Sequence, residues 1–238
     1  MSRRVRIGCI ALVLVAAAGT SVALWSPPDW LLDSAAERYP GCVYRASVRA
    51  PVIALTIDDG PDSVTTPLIL AELARHQARA TFFLISGRVE GREWLVRAMV
   101  SAGHEIGNHL PRDEPSIGLT SDQFEEALLE AHEVLARYGP IAWVRPGSGW
   151  YSQSMIDAIH RRGYRCAMGS VYPFDAHLPS VRFVAGYILR NARPGAVVIL
   201  HDGGSRGRRT ARVLREVLPE LQRRGYQVVT LSELVGAG

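Results

Sequence analysis

The 238-residue sequence predicts an α/β domain whose parallel strands form a (β/α) barrel. Short apolar runs alternate with longer amphipathic runs, and this alternation indicates parallel strands joined by helical crossovers. Such units either close into a barrel or lie open as a doubly wound sheet. Polar residues at the ends of the apolar runs favour the barrel, because a barrel gathers those positions at one rim. These residues are Asp58, Asp59, Arg145, His201 and Asp202.

The individual elements follow from the two periodicities. Apolar runs bounded by turn residues predict strands over 52–57, 80–85, 141–144, 165–169, 196–200 and 227–230. Amphipathic patterns predict helices over 66–76, 92–102, 120–138, 152–162, 181–191 and 210–224. Thr120 and Gln123 form a capping box that begins the longest of these helices. Ahead of the domain at 51–238, residues 26–50 read as a linker and a short helix, which begins near Asp29 and stops at Pro40.

Residues 1–25 predict export from the cytoplasm. An uncharged apolar run over 7–25 follows an arginine-rich start, a pattern typical of a signal peptide or of an uncleaved membrane anchor. The small residues Ser21 and Ala23 favour cleavage, whereas a run of about 19 residues is long enough to span a bilayer. Either alternative places the domain outside the cytoplasm, as a secreted, periplasmic or anchored protein that meets the membrane only through this segment.

The composition indicates a folded domain without an affinity for nucleic acid. Apolar residues make up 47% of the chain and charged residues 21%. Arg3, Arg4 and Arg6 supply three of the four net positive charges, so the body of the chain carries about +1. The RGRR cluster at 206–209 is interpreted as a solvated loop. No GxGxxG motif follows the first strand, which argues against dinucleotide binding.

Two cysteines follow the export segment. Cys42 and Cys166 can pair in an oxidising compartment, and their apolar surroundings fit two buried free thiols equally well. Since the sequence has no CxxC motif and no Cys/His cluster, zinc held by cysteines is not expected.

Two segments offer carboxylate and imidazole groups. In TIDDGP the chain turns at once after the strand, so that both Asp58 and Asp59 can reach the rim; the alternative is a simple capped turn. In HLPRD, His109 and Asp113 offer a nitrogen and an oxygen ligand for zinc. His104, five residues before His109, is a weaker candidate.

Three further segments carry polar residues suited to catalysis. VRPGSGW places Arg145 at a strand end, where it can grip a carboxylate, before a turn whose N–H groups can face an oxyanion. YPFDAH offers Asp175. VVILHDGG delivers His201 from a buried strand into a glycine turn, a suitable position for a general acid or base. Each segment alone also fits a structural role, such as a surface arginine or a hydrogen-bonded core histidine.

Taken in order, the five segments resemble the five motifs of the polysaccharide deacetylase (NodB-homology) family. The resemblance runs from about residue 52 to residue 235 and includes the closing GYQVVTLSEL. It implies a distorted, incomplete (β/α) barrel. It also implies metal-dependent hydrolysis of a linear amide C–N bond, with the removal of N-acetyl groups from sugars.

The resemblance implies a role for each matching residue. Asp58 is the general base, and Arg145 orients it. His201 is the general acid, and Asp175 is the acidic partner of that histidine. The residues expected to contact the oxyanion or the substrate are Ser148, Gly149, Trp150, Tyr151 and Leu200.

The metal motif departs from the family pattern. By resemblance Asp59 and His109 are metal ligands, but Asp113 stands where a second histidine is expected, and Leu110 replaces a hydroxyl residue. We expect Asp113 to be the third ligand of an altered site, most suited to zinc and open to manganese, cobalt, nickel or magnesium. The alternative is a lost ligand with a weak or absent metal.

These observations predict an exported, monomeric, metal-dependent hydrolase that removes N-acetyl groups from a cell-wall or extracellular glycan. An alternative within enzymes is hydrolysis of another amide or of an O-acetyl ester. In the third motif Gly147 and Ser148 replace a proline and an aromatic residue, so that Trp150 or Tyr151 must supply the sugar-facing wall. From another class, a non-catalytic glycan-binding protein fits the altered motifs, whereas the retained base and acid favour an enzyme.

Overall fold

The computed structural model describes residues 28–237 of the chain. The predicted export segment at 1–25 lies outside the described residues. Within the described range, no helix combines the length and the apolar character that crossing a bilayer requires.

Strands and helices alternate along the described chain, as predicted. The strands are β1 (Cys42–Val43), β2 (Val52–Asp58), β3 (Thr81–Leu84), β4 (Glu105–Asn108), β5 (Trp143–Val144), β6 (Arg165–Ala167), β7 (Val197–His201) and β8 (Gln227–Val229). The helices are α1 (Asp29–Arg38), α2 (Thr65–Arg75), α3 (Glu93–Ser101), α4 (Ser121–Leu135), α5 (Gln153–Arg161), α6 (Val181–Asn191), α7 (Gly204–Arg223) and α8 (Leu231–Gly236). Short 3₁₀ turns lie at Ser86–Arg88, Ser116–Gly118 and Gly147–Gly149.

The strands form one curled parallel sheet. Their order is β1-β6-β5-β4-β3-β2-β7, and β8 also pairs with the start of β2. An antiparallel bridge between Arg45 and Ala196 links the β1 end of the sheet to the β7 end. With helices packed around it, this sheet is the distorted, incomplete barrel that the sequence predicts.

Strand β2 lies at the centre of the arrangement and positions the site. It pairs with β3 and β7, and its side chains are buried from Ile53 to Asp58. Such a continuous apolar run is typical of a parallel strand that is covered on both faces. Because all the strands are parallel, their carboxyl ends emerge at one edge. In the β2–β7 register Asp58 lies directly opposite His201.

The boundaries of the predicted helices are confirmed to within a few residues, with one exception. The capping box at Thr120 and Gln123 begins α4, as expected. Helix α7, however, begins at Gly204 instead of residue 210, because Gly203 turns the chain with a φ of 86°. The interpretation of 206–209 as a solvated loop is therefore wrong, since these residues lie in the first two turns of α7. Arg206, in the first turn, lines the cavity at the site.

Three described elements were not predicted, namely β1, β4 and α8. Strand β4 has the sequence EIGN, which lacks an apolar run, and pairing on both sides stabilises it. The carboxylate of Glu105 accepts hydrogen bonds from the hydroxyls of Thr81 and Ser232, which compensates for a charged residue in the sheet. Tertiary pairing here overrides a weak local preference.

Cys42 and Cys166 lie opposite each other in the β1–β6 register. Both are buried free thiols, with 2.7 Å between the two Sγ atoms. Burial, together with the hydrogen bond to Cys166, raises the pKa of the Cys42 thiol well above its ordinary value. Because the thiolate is the reactive form, these surroundings protect the thiol of Cys42 from reagents in solution.

Candidate functional site

A cavity at the carboxyl ends of the strands brings most of the predicted site residues together. Its volume of about 550 Å³ lies in the range typical of ligand sites. The predicted residues that line it are Asp58, Asp59, His109, Asp113, Arg145, Ser148, Gly149, Trp150 and His201. Further wall residues are Tyr44, Met168, Tyr172 and Arg206.

Asp58 and Arg145 form a buried ion pair in this cavity. Arg145 Nη1 lies 2.5 Å from Asp58 Oδ1, and the two residues are only 2% and 3% exposed. The guanidinium also donates to the Thr56 hydroxyl at 2.9 Å and to the carbonyls of Ala167 and Met168 at 3.0 Å each. These hydrogen bonds to β2 and to the end of β6 fix the orientation of the guanidinium. The guanidinium in turn fixes the orientation of the Asp58 carboxylate.

His201, at the end of the neighbouring strand β7, forms a second pair with Asp175. Asp175 is fully buried and accepts from the backbone N–H of His201 at 2.9 Å and from its Nδ1 at 3.0 Å. Because a carboxylate oxygen only accepts, Nδ1 carries a proton, and Nε2 remains the ring nitrogen available to a substrate. Arg209 of α7 donates to the carbonyl of Asp175 and thereby ties that helix to the pair.

The pKa of His201 is raised above its ordinary value. Burial by itself lowers this pKa, but the hydrogen bond with Asp175 and the negative charges of Asp175, Asp58 and Asp59 outweigh it. The ring of Tyr172 packs edge-on against this imidazole. The pKa of Tyr172 is itself raised to about 12, mainly by burial. The contacts with the carboxylates therefore favour the imidazolium, which is the proton-donating form.

Asp59 and His109 lie side by side in the same cavity. Asp59 Oδ1 is 3.5 Å from His109 Nε2. His109 Nδ1 donates to the carbonyl of Arg145 at 2.7 Å, and this contact turns Nε2 toward the carboxylate. Burial raises the pKa of Asp59, but the hydrogen bond with His109 and the charges of His109, His201 and Arg206 lower it to about 2. The carboxylate is therefore ionised.

This pair fits two ligands of a divalent metal. Bonds of about 2.0–2.2 Å around a tetrahedral ion place neighbouring ligand atoms about 3.3–3.6 Å apart. The separation of 3.5 Å between the Asp59 oxygen and the His109 nitrogen agrees with that spacing.

The third predicted ligand, Asp113, is not brought to this pair. Over residues 28–237, no group of three or more His, Cys, Asp or Glu side chains is placed to hold a metal ion. The side chain of Asp113 is 46% exposed and forms an ion pair with Arg88 at 2.7 Å. The structure therefore assembles two members of the predicted ligand set and directs the third toward an arginine.

Two arginines surround these carboxylates, and the motifs of the sequence indicate a role for neither. Arg88 donates from Nη2 to Asp113 Oδ2 and from Nη1 to the carbonyl of Asp59, at 2.7 and 2.6 Å. Arg206 Nη1 lies 3.0 Å from Asp59 Oδ2, and its Nη2 lies 3.8 Å from Asp113 Oδ2. The one signal in the sequence was Asp113 itself, because an added carboxylate next to the predicted metal ligands attracts cationic side chains.

Of the five residues predicted to contact the oxyanion or the substrate, three line the cavity. Ser148 lies in a 3₁₀ turn at the cavity wall, next to Gly149, and the indole of Trp150 is 68% exposed at the rim. The hydroxyl of Tyr151 bonds to that of Tyr44. Leu200 is fully buried in the core of the barrel and does not line the cavity, which corrects its predicted position.

Two other polar residues singled out in the sequence are structural. Asp202 is fully buried and accepts hydrogen bonds from the hydroxyls of Thr65 and Thr66, which fastens the end of β7 to α2. His104 accepts from the N–H of Ala80 at 3.2 Å, and burial lowers its pKa to about 4. Neither side chain lines the cavity.

Backbone strain in the described chain concentrates around the site. Five residues other than glycine have a positive φ, and four of them flank or belong to the predicted motifs. These four are Asp59 (71°), Leu110 (64°), Ser148 (59°) and Phe174 (58°). Each such conformation costs about 1–3 kcal/mol and persists where the surroundings enforce it, which happens most often at functional sites.

Comparisons with known proteins find a matching family and several relatives. The family model for polysaccharide deacetylases matches residues 45–167. A peptidoglycan-N-acetylglucosamine deacetylase of Bacillus cereus is 34% identical, over 77% of this chain and 88% of the relative. A chitooligosaccharide deacetylase of Sinorhizobium fredii is 30% identical, over 82% of this chain and 97% of the relative.

Solved structures share the fold over most of their length. A peptidoglycan N-acetylglucosamine deacetylase superposes with a TM-score of 0.79 at 27% identity, covering 86% of this chain and 97% of the other. An acetyl xylan esterase from Clostridium thermocellum, in complex with a cobalt ion, gives 0.72 at 29% identity, covering 78% and 90%. A family 4 pseudoenzyme from Bacillus anthracis gives 0.76 at 25% identity, covering 83% and 70%.

Proposed function

The chain belongs to the polysaccharide deacetylase family, and on that premise we propose that it is a hydrolase that removes N-acetyl groups from an N-acetylated glycan. The observation that carries the proposal is the meeting of two oriented pairs, Asp58 with Arg145 and His201 with Asp175, at the ends of adjacent strands. One pair holds a carboxylate that can accept a proton, and the other holds an imidazole that can donate one.

In this proposal Asp58 takes the proton of the attacking water. The ion pair with Arg145 engages Oδ1, and we therefore assign proton acceptance to Oδ2. Arg145 positions the base and does not itself exchange protons.

His201 protonates the departing amine nitrogen in the second half of the reaction. The contacts that raise the pKa of His201 favour the charged imidazole that this step requires. The carboxylate of Asp175 fixes the ring through Nδ1, so that the proton leaves from Nε2.

Asp59 and His109 are the residues that would hold a divalent metal, and zinc, manganese, cobalt, nickel and magnesium remain candidates. When bound, such a metal polarises the amide carbonyl and lowers the pKa of a coordinated water. We expect the backbone N–H groups near Ser148 and Gly149 to face the developing oxyanion.

The proposed substrate is a glycan outside the cytoplasm. Relatives are named for peptidoglycan and for chitooligosaccharides, both of which contain N-acetylated sugars. The exposed indole of Trp150 at the cavity rim supports this class, since aromatic faces provide large, rigid contact area at binding sites. Trp150 thus takes the place of the aromatic residue that the third motif lacks.

The test is acetate release from oligomers of N-acetylglucosamine and from peptidoglycan fragments. We expect release of acetate together with an equal amount of new primary amine, and release about a thousandfold slower from the Asp58→Asn protein. An acetylated xylan assayed in parallel separates ester from amide hydrolysis. Binding of the oligomers without acetate release, with or without added divalent metal, would contradict the proposal.

Such a result would favour a second candidate, a non-catalytic glycan-binding protein. The specific observation in its favour is the position of Asp113, which contacts Arg88 and not the other predicted ligands. A solved neighbour is itself described as a pseudoenzyme, and a mutant of it has restored enzymatic activity. The retained acid and base of this chain favour the hydrolase.

The pH dependence of the reaction provides a separate prediction for Asp175→Asn. Loss of the charge beside Nδ1 lowers the pKa of His201, although Asp58, Asp59 and Arg206 still face the cavity. Because the imidazolium is the active form, we expect the alkaline limb of the kcat/KM profile to move to lower pH.

The control for this prediction is Asp122→Asn, the same change at an exposed position in the first turn of α4. Its pH profile should match that of the unmodified protein. An alkaline limb that stays in place in Asp175→Asn would show that His201 is not the acid.

A further inference from the structure

Arg206 contacts a predicted metal ligand directly and has no part in the proposed reaction. Its Nη1 lies 3.0 Å from Asp59 Oδ2, while Asp59 Oδ1 faces His109. Its Nη2 points to Asp113 Oδ2 at 3.8 Å. One guanidinium thus bridges the two carboxylates that the sequence predicts to share a metal ion.

We propose that Arg206 is a built-in competitor of the divalent metal, so that tight metal binding requires its guanidinium to leave Asp59. The inference rests on the proposed function insofar as it takes Asp59 and His109 as the metal ligands. The guanidinium of Arg206 then limits how tightly the chain binds a divalent metal.

The charges of the cluster explain the competition. Asp59 and Asp113 carry two negative charges, and the contacting Arg88 and Arg206 carry two positive ones, so the four side chains are neutral together. A divalent ion added to a neutral cluster gains little attraction, and it is repelled by a guanidinium within a few ångströms of its ligand. With Arg206 absent, the same four positions carry a net negative charge that attracts the ion.

Arg206 is placed so that it can leave. Its side chain is 33% exposed, in contrast to Arg145, whose guanidinium is enclosed on several strands. It stands in the first turn of α7, two residues after Gly204, and the long side chain of an arginine at a helix surface can extend its charged end into solvent. Arg88 is less free, because it also donates to the carbonyl of Asp59.

The experiment measures metal uptake without any glycan. The full-length protein and Arg206→Gln are titrated with Zn²⁺ and with Mn²⁺ by calorimetry, and Zn²⁺ is checked by competition with a chromophoric chelator. We expect the dissociation constant for Zn²⁺ to fall at least about tenfold in Arg206→Gln, because a repelling charge is removed. Arg206→Lys, which keeps the positive charge, should bind Zn²⁺ about as weakly as the unmodified protein does.

Two controls identify the site. Arg208→Gln removes the same charge from an exposed position in the same helical turn and should leave the affinity unchanged. Adding Asp59→Asn to Arg206→Gln should abolish the gain. A thermal unfolding curve for each variant establishes that it is folded before titration.

Equal Zn²⁺ affinities in the unmodified protein and Arg206→Gln would overturn the proposal, as would an equal gain in Arg208→Gln. The result does not depend on the proposed reaction. If no acetate is released from any glycan but Arg206→Gln gains metal affinity, the hydrolase proposal fails and the competition remains.

Discussion

Replacing Asp58 with asparagine is expected to lower the rate of acetate release about a thousandfold, the usual contribution of a general base. Asparagine has the shape of aspartate and can still accept the hydrogen bond from Arg145 through its amide oxygen. It cannot take a proton from water, so the loss should appear in kcat more than in KM.

The measurement is steady-state acetate release by Asp58→Asn, with oligomer binding followed separately. Retained binding together with lost turnover assigns the effect to chemistry. Asp122→Asn serves as the matched control, because it makes the same change on an exposed helix surface. An Asp58→Asn protein that keeps more than about a tenth of the rate would remove Asp58 from the role of base.

Replacing Arg145 with methionine is expected to be the most destabilising single change in the site. Methionine preserves much of the length but leaves the Asp58 carboxylate buried without its cation, and breaking a buried pair in this way costs about 3–5 kcal/mol. The carbonyls of Ala167 and Met168 also lose a donor, and Phe83 loses the guanidinium that lies 4.1 Å from its ring centre. Since the free energy of unfolding of such domains is about 5–15 kcal/mol, the expected loss is a large share of their stability.

Urea unfolding of Arg145→Met, compared with Arg208→Met, measures this effect. The exposed control should differ from the unmodified protein by no more than about 0.5 kcal/mol. Activity of Arg145→Met should fall as well, because the base loses its orientation. A free energy of unfolding equal to that of the control would mean that Arg145 contributes to function alone and that Asp58 is stable without it.

The main features of the fold could be predicted because they depend on local patterns. The run that forms β2 is apolar except for Thr56 and the final Asp58, a composition typical of a parallel strand that is buried on both faces. The amphipathic spacing of α6 and the capping box of α4 are equally local, and both are confirmed. Strand β4 was missed because its stability comes from its neighbours on both sides and not from its own residues.

The sequence by itself determined the family motifs and hence the residues that meet at the rim, since Asp58 and His201 end parallel strands and Arg145 directly follows one. Only the tertiary structure decided the partners of Asp113 and the role of Arg206. Those depend on which charges from separate loops approach within a few ångströms, and Coulomb interactions at that range follow three-dimensional distance, which motif spacing does not encode.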